Sequence, residues 1–302
     1  MTRPCLPPSP TEVAQKAPRR VGETLRQARG ALASALSLDA RDASLEAQML
    51  LCEALGQGRA WLIAHDTDPV PAEALARFQG LLARRLSGEP VAYLLGRREF
   101  FGLTLAVTPA VLIPRPETER LVELALAHLP DGHPCEVLDL GTGSGAVALA
   151  IAHARPTARV TAIERSPAAL AVAHENARRL RLTRVRFLQG DWFTALEGEA
   201  RFHLIVANPP YVAEDDPHLA QGDVRFEPRA ALVAGRDGLA ALRHIVAEAP
   251  RWLHRGGWLF VEHGWNQGEA CRALLRAAGF GAVQTHRDLA GWERVSGGQK
   301  PG

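Results

Sequence analysis

From residue 137 onward the chain alternates short apolar runs with stretches of helical periodicity, and this alternation is its strongest constraint on the fold. Runs at 137–140, 159–163, 185–188, 202–207, 257–262 and 282–286 have strand character. Stretches at 144–154, 167–180, 239–249 and 269–278 are helical and separate most of those runs. The alternation predicts an α/β domain whose mainly parallel sheet is covered by helices on both faces. Ligands of such sheets bind outside the carboxyl ends of the strands, so residues at those ends are the first candidates for chemistry.

Upstream, residues 21–88 read as a small helical domain. Leu25, Ala28, Leu32, Ala35 and Leu36 recur at helical spacing. A second apolar run at 45–55 has Ser44 before it as the expected N-cap and Gly56 after it as a stop. Pro71 opens a third helix carrying Leu75, Phe78, Leu82 and Leu86, which Gly88 ends. Residues 100–107 read as a hairpin, and Ile113-Pro114-Arg115-Pro116 as an extended linker to a helix at 119–129, capped by Thr118 or started by Pro116 or Glu117. The expected division is a disordered leader at 1–20, the helical domain at 21–88, a hairpin and linker at 89–116, the α/β domain at 117–297 and a flexible tail at 298–302.

Composition removes several classes of function. The chain has 302 residues, 47% apolar and 23% charged, as in a globular protein. No apolar run is long enough to cross a bilayer, and the first 20 residues hold five prolines without the apolar core of a signal peptide. Cys5, Cys52, Cys135 and Cys271 are widely separated, which fits a reducing cytoplasm and gives no zinc or disulfide pattern. The 11 histidines show no metal-binding spacing, so no metal is expected. Net charge is +2, and residues 1–90 hold 11 basic against 10 acidic side chains, so neither nucleic acid nor membrane is an expected partner. A monomer is expected.

Asp139-Leu140-Gly141-Thr142-Gly143-Ser144-Gly145-Ala146 follows a strand and opens a helix. Its glycines permit a tight turn and let a ligand approach the backbone. The spacing also fits a dinucleotide fingerprint, with Glu164 at the next strand end placed to bind a ribose, so the loop alone suits NAD or S-adenosylmethionine. Two features favour the methyl donor. Asp139 beside the glycines repels a pyrophosphate and attracts the ammonium of a sulfonium amino acid. Gly190-Asp191-Trp192, at the third strand end, offers a carboxylate and an indole to an adenine.

The fourth strand runs straight into Asn208-Pro209-Pro210-Tyr211, where proline ends the ladder. This corner suits methylation of a nitrogen whose lone pair is delocalised into a carbonyl or ring. The Asn208 side-chain carbonyl and the Pro209 backbone carbonyl can accept the substrate N–H groups, the prolines fix those acceptors, and Tyr211 covers a flat face.

These motifs, with Glu99-Phe100-Phe101-Gly102-Leu103, Leu112-Ile113-Pro114-Arg115-Pro116-Glu117-Thr118-Glu119, Arg225-Phe226-Glu227-Pro228-Arg229 and Glu262-His263-Gly264, resemble the HemK/PrmC family of release factor N5-glutamine methyltransferases over nearly all of residues 21–297. The resemblance implies a class I methyltransferase fold using S-adenosyl-L-methionine, with the glutamine of the Gly-Gly-Gln loop of class I peptide chain release factors as substrate. It places Gly141, Thr142, Gly143, Ser144 and Gly145 along the cofactor, Glu164 on its ribose and Trp192 beside its adenine, with Asp139, Asp191 and Asn208 near it. Asn208, Pro209, Pro210 and Tyr211 hold the glutamine amide. Arg115, Glu119, Arg225 and Glu227 stay open between functional and structural roles. Competing readings are an adenine-N6 methyltransferase, which must flip a base and neutralise phosphates, and a non-catalytic module that docks on translation factors.

Overall fold

The computed structural model describes residues 19–302, so the expected leader lies outside the described residues up to residue 18. Arg19 and Arg20 do not belong to a leader. The Arg19 carbonyl accepts from Val70 N at 2.9 Å, and Arg20 bridges Pro69. The chain divides into two compact units, Met1–Val91 and Ala92–Gly302.

The first unit holds α1 (Val21–Leu36), α2 (Ala40–Leu55), α3 (Arg59–Ala64) and α4 (Ala72–Leu86). Helix α2 starts earlier than Ser44, because the Asp39 carboxylate accepts from Arg41 N at 2.8 Å and Asp42 N at 2.7 Å. An acidic cap that satisfies two free amides at the positive end of a helix outcompetes the hydroxyl. Leu32, Leu50, Leu51 and Phe78 fill the core of this unit. Arg85 is buried and paired with both oxygens of Glu46, at 2.7 and 3.0 Å.

Helix α5 (Val91–Leu95) leads to an antiparallel hairpin of β1 (Arg97–Phe100) and β2 (Leu103–Ala106). A 3₁₀ turn at Pro116–Thr118 then precedes α6 (Glu119–Ala127); Thr118 stands before that helix, but its side chain does not cap it. Next come β3 (Glu136–Leu140), α7 (Ala146–Ala154), β4 (Arg159–Glu164), α8 (Pro167–Arg179), β5 (Arg186–Gln189), β6 (Phe202–Ala207), α9 (Ala240–Trp252), β7 (Leu253–Glu262), α10 (Gly268–Ala277), β8 (Gly281–Arg287) and β9 (Glu293–Gln299). The sheet order is β5-β4-β3-β6-β7-β9-β8, parallel from β5 to β7, with β9 antiparallel to both neighbours.

Alternation along the strands divides the core between two faces. Val137, Leu204, Val206 and Phe260 pack with α6 and α7. Leu138, Ile205, Leu259 and Val261 pack with α9 and α10. The chain runs outward from β3 to β5 and then returns to the other side of β3 with β6. The β3/β6 boundary is therefore a topological switch point, where a crevice opens at the carboxyl ends of the strands.

A further sequence expectation is overturned at β9. Gly298 and Gln299 are not a flexible tail but the end of β9, opposite Leu259 and Trp258. The Gln299 amide donates to Gly256 O at 2.9 Å, and Lys300 Nζ donates to Pro250 O and Leu253 O at 2.7 and 2.8 Å, holding the end of α9.

Candidate active site

The glycine loop leaves β3 at the switch point. Gly141 N and Thr142 N both donate to Ile163 O, at 2.9 and 3.0 Å, which fixes the loop to β4. Gly141 has φ +70°, and a Cβ there would lie 3.3 Å from Trp192 Cζ3, so the indole lies close over a backbone that carries no side chain. Asn176, fully buried on α8, accepts from Ala106 N at 2.6 Å and donates to Ser144 O at 2.9 Å, joining the loop to the hairpin.

A cavity of about 460 Å³ opens beside the loop. Its wall includes Asp139, Gly141, Thr142, Gly143, Ser144, Glu164, Asp191, Trp192, Asn208 and Pro210, drawn from the ends of β3, β4, β5 and β6. Gly145 stands apart from that wall. With φ +84° it starts α7, packed close to Leu149 and Ala173.

Asp139 is 1% exposed, and its Oδ2 accepts from Thr142 Oγ1 at 2.5 Å and Ala148 N at 3.2 Å. Burial raises its pKa to about 7 in spite of those two bonds, which favour the charged form. Glu164 accepts from Gly143 N on one oxygen at 3.0 Å and from Ser166 N on the other at 2.8 Å. Both acidic groups therefore brace the loop as well as facing the cavity.

A second cavity of about 260 Å³ is lined by Pro209, Tyr211, Val212, Leu219, Val224 and Leu232, among others. Asn208, Leu112, Arg115 and Ala231 line both cavities. Asn208 thus stands where a ligand of one space meets a ligand of the other. The groups left open by the sequence now have partners. Glu227, buried, accepts from Ile113 N at 3.0 Å and pairs with Arg115, holding the linker against the following loop. Glu119 accepts from Phe101 N at 2.9 Å and so secures the hairpin turn. Arg225 lies over the Phe226 ring, 5.0 Å from its centroid.

Three residues of the site were assigned no chemical role from the sequence. Thr118 Oγ1 accepts from Asn208 Nδ2 at 3.1 Å. The Tyr211 hydroxyl donates to Glu262 Oε1 at 3.4 Å. Gln267 Nε2 donates to Tyr211 O at 3.0 Å, tying the corner to the loop after β7. Glu262 is 1% exposed, and burial raises its pKa to about 7; the Thr118 and Tyr211 hydroxyls and Arg294 oppose that rise, and Glu117 adds to it. Burial also raises the pKa of the Tyr211 phenol, which stays protonated. Among the described residues, no group of three or more His, Cys, Asp or Glu is placed to hold a metal, and no helix is long and apolar enough to cross a membrane.

Comparison with known proteins gives matches along most of the chain. Residues 23–96 match the PrmC N-terminal domain family, and residues 132–288 match the Methyltransferase domain family. A Bordetella pertussis protein named release factor glutamine methyltransferase is 59% identical over 254 residues, covering 84% of this chain and 94% of its own. A Burkholderia pseudomallei protein of the same name is 56% identical over 266 residues, covering 86% of this chain and 93% of its own. Among solved structures, the T. thermophilus 16S rRNA methyltransferase RsmC, in complex with AdoMet and guanosine, aligns with a TM-score of 0.51 at 25% identity. That alignment covers 68% of this chain and 49% of RsmC, so the chain spans about half the length of that protein.

Proposed function

The chain belongs to the release factor glutamine methyltransferase family, and from that premise we propose that it methylates the side-chain amide nitrogen of the Gly-Gly-Gln glutamine in class I peptide chain release factors. The observation that carries this reading is the position of Asn208 in a wall shared by two cavities. The larger cavity suits S-adenosylmethionine. It has a loop without side chains at Gly141, an indole at Trp192, an acceptor at Glu164 for ribose hydroxyls and a buried carboxylate at Asp139 for an ammonium. When bound, that cofactor supplies an electrophilic methyl group on a sulfonium.

The residues of the chain act on the nucleophile. An amide nitrogen shares its lone pair with the carbonyl and attacks poorly. Asn208 Oδ1 and the Pro209 carbonyl accept its two N–H groups, which draws density back onto nitrogen and aims it at the methyl. Pro209 and Pro210 fix these acceptors before the substrate arrives, and the Tyr211 ring covers the flat amide. Placement and electrostatics provide the acceleration, without a strong general base.

In this reading the helical unit selects the protein substrate, since a tripeptide offers far less than the roughly 1,200–2,000 Å² of a standard protein interface. The near-neutral charge of residues 1–90 supports a protein partner over nucleic acid. Free Cys52, Cys135 and Cys271 fit a reducing cytoplasm, and we take the protein to act there as a monomer. Incubation with labelled methyl donor and three acceptors (release factor, DNA and ribosomal protein) tests the assignment. Label on the Gly-Gly-Gln glutamine supports it; label confined to either of the others overturns it.

A further inference from the structure

In the second unit, the large apolar side chains left exposed among the described residues are Trp265, Leu289 and Trp292, and all of them stand in two neighbouring loops. Trp265 follows β7, and Leu289 and Trp292 lie in the turn between β8 and β9. Strand β9 runs antiparallel to β7, and β7 parallel to β6, so that turn stands at the same sheet edge as the Asn208–Tyr211 corner. The two indoles meet edge to face with centroids 5.4 Å apart, yet they stay 59% and 53% exposed. Single apolar side chains on a surface are ordinary, but two touching tryptophans are not. Each can bury about 150–250 Å², and Trp is enriched among the residues that dominate protein interfaces.

Both loops are held by their own hydrogen bonds. Asp288 Oδ1 accepts from Ala290 N at 3.0 Å and Trp292 N at 2.9 Å, and its Oδ2 accepts from Arg294 Nε at 3.2 Å. Asp288 N donates to Trp292 O at 2.9 Å, which closes the turn. On the other loop, Gln267 Oε1 accepts from Gly264 N at 2.9 Å while its Nε2 donates to Tyr211 O at 3.0 Å. The patch is therefore formed in advance and fastened to the corner, so little ordering is required of it when a partner covers it.

Distance identifies that partner. From Tyr211 O, one hydrogen bond, the Gln267 side chain and two residues of backbone reach Trp265 within about 15 Å even at full extension. A protein docked at the corner covers about 800 Å² of each surface, a disc of roughly 16 Å radius. A substrate protein whose glutamine sits on Asn208 and Tyr211 therefore brings its flanking surface within reach of the two indoles. We propose that Trp265, Leu289 and Trp292 form a docking surface for an apolar flank of the release factor domain that carries the Gly-Gly-Gln loop. This rests on the methyl-transfer reading above, and it adds a recognition contact in the catalytic unit to the one assigned to the helical unit.

The test uses the full chain and intact release factor, and compares Trp265→Ala, Trp292→Ala and Leu289→Ser with wild type. Each Trp substitution should raise the KM and the calorimetric Kd for release factor roughly 10-fold, as for a buried aromatic anchor. Leu289→Ser should raise both about fivefold, for the loss of a smaller apolar contact. The kcat at saturating release factor and the Kd for S-adenosylmethionine should stay within about threefold, the pattern of binding made equally in the ground and transition states. Unchanged affinity for release factor in all the variants, or a fall in kcat that saturating release factor does not relieve, would overturn the proposal. So would a wild-type dimer that Trp292→Ala dissociates without altering affinity for release factor, because a second copy would then be the occupant. Should Trp265→Ala unfold early in thermal melting, Trp292→Ala and Leu289→Ser, on the other loop, decide. Wild type that leaves the Gly-Gly-Gln glutamine unlabelled defeats the functional reading, a result obtained separately from these affinities.

Discussion

Glu164→Gln gives a sharp test of the cofactor cavity, because both carboxylate oxygens already hold a backbone donor. Each oxygen keeps a second lone pair, and these are the acceptors open to a pair of ribose hydroxyls. Glutamine keeps the shape but replaces one acceptor with an NH₂, which then faces Gly143 N or Ser166 N donor to donor. The loss is at least one charged hydrogen bond, about 1.5–3 kcal/mol. At about 1.4 kcal/mol per tenfold change, that is a rise of roughly 10- to 150-fold in the Kd for S-adenosylmethionine. Glu164→Ala removes both acceptors and should reach the upper end of that range, although water at the cavity mouth can replace part of what the loop amides lose. Titration calorimetry reads the affinities directly. Turnover at saturating donor should return to within about threefold of wild type, because Glu164 touches no reacting atom. A Gln variant that binds within twofold of wild type, or a turnover defect that excess donor does not relieve, would falsify the assigned role.

Three further outcomes follow from the same geometry. Asn208→Ala should lower turnover by about 10²–10³ with little change in donor affinity, and turnover close to wild type in a steady-state assay would remove Asn208 from the chemistry. Asp139 has a pKa raised from 3.8 to about 7 by burial, so its contribution to folding stability is full below 3.8 and is lost as pH rises through about 7. The ligand-free protein should therefore melt at falling temperature across that window, and Asp139→Asn should flatten the decline; identical slopes for variant and wild type would refute the cause. Ile63, 74% exposed on α3, should contribute to substrate docking. Ile63→Asp should raise KM for intact release factor about tenfold while leaving activity on a short Gly-Gly-Gln peptide unchanged, and an unaltered KM for the intact factor counts against a recognition role.

Features with a local physical cause were legible in the sequence. The strand-to-helix turn at Gly141 and the proline stop at Asn208-Pro209-Pro210 advertise themselves by backbone requirements of a few neighbouring residues. Strand β9 does not. Gly298-Gln299 reads as the start of a tail, yet a Cβ on Gly298 would lie 2.8 Å from Phe280 Cβ, and one on the preceding Gly297 2.2 Å from Phe260 Cδ1. Those glycines make room for aromatic neighbours, a reason visible only once distant strands are paired. The helix start at Asp39 was misplaced for the opposite cause, a choice between two nearby cap residues decided by charge. Thr118 and Glu262 belong to conspicuous motifs, but what brings them to the site is contacts to Asn208 and Tyr211 across long stretches of chain, for which no local pattern exists.

The place of β9 in the sheet also bears on how the protein is made. Every residue of the glycine loop and of the Asn-Pro-Pro-Tyr corner is synthesised well before residue 293, yet β7 gains its second neighbour only when β9 arrives, with Glu262 paired to Val295. A ribosome that stops short of β9 releases a chain holding its whole reactive vocabulary, with β7 as an open edge of the kind that invites wrong pairing. Strand β9, which ends at Gln299, also supplies the pairing that joins β8 to the sheet.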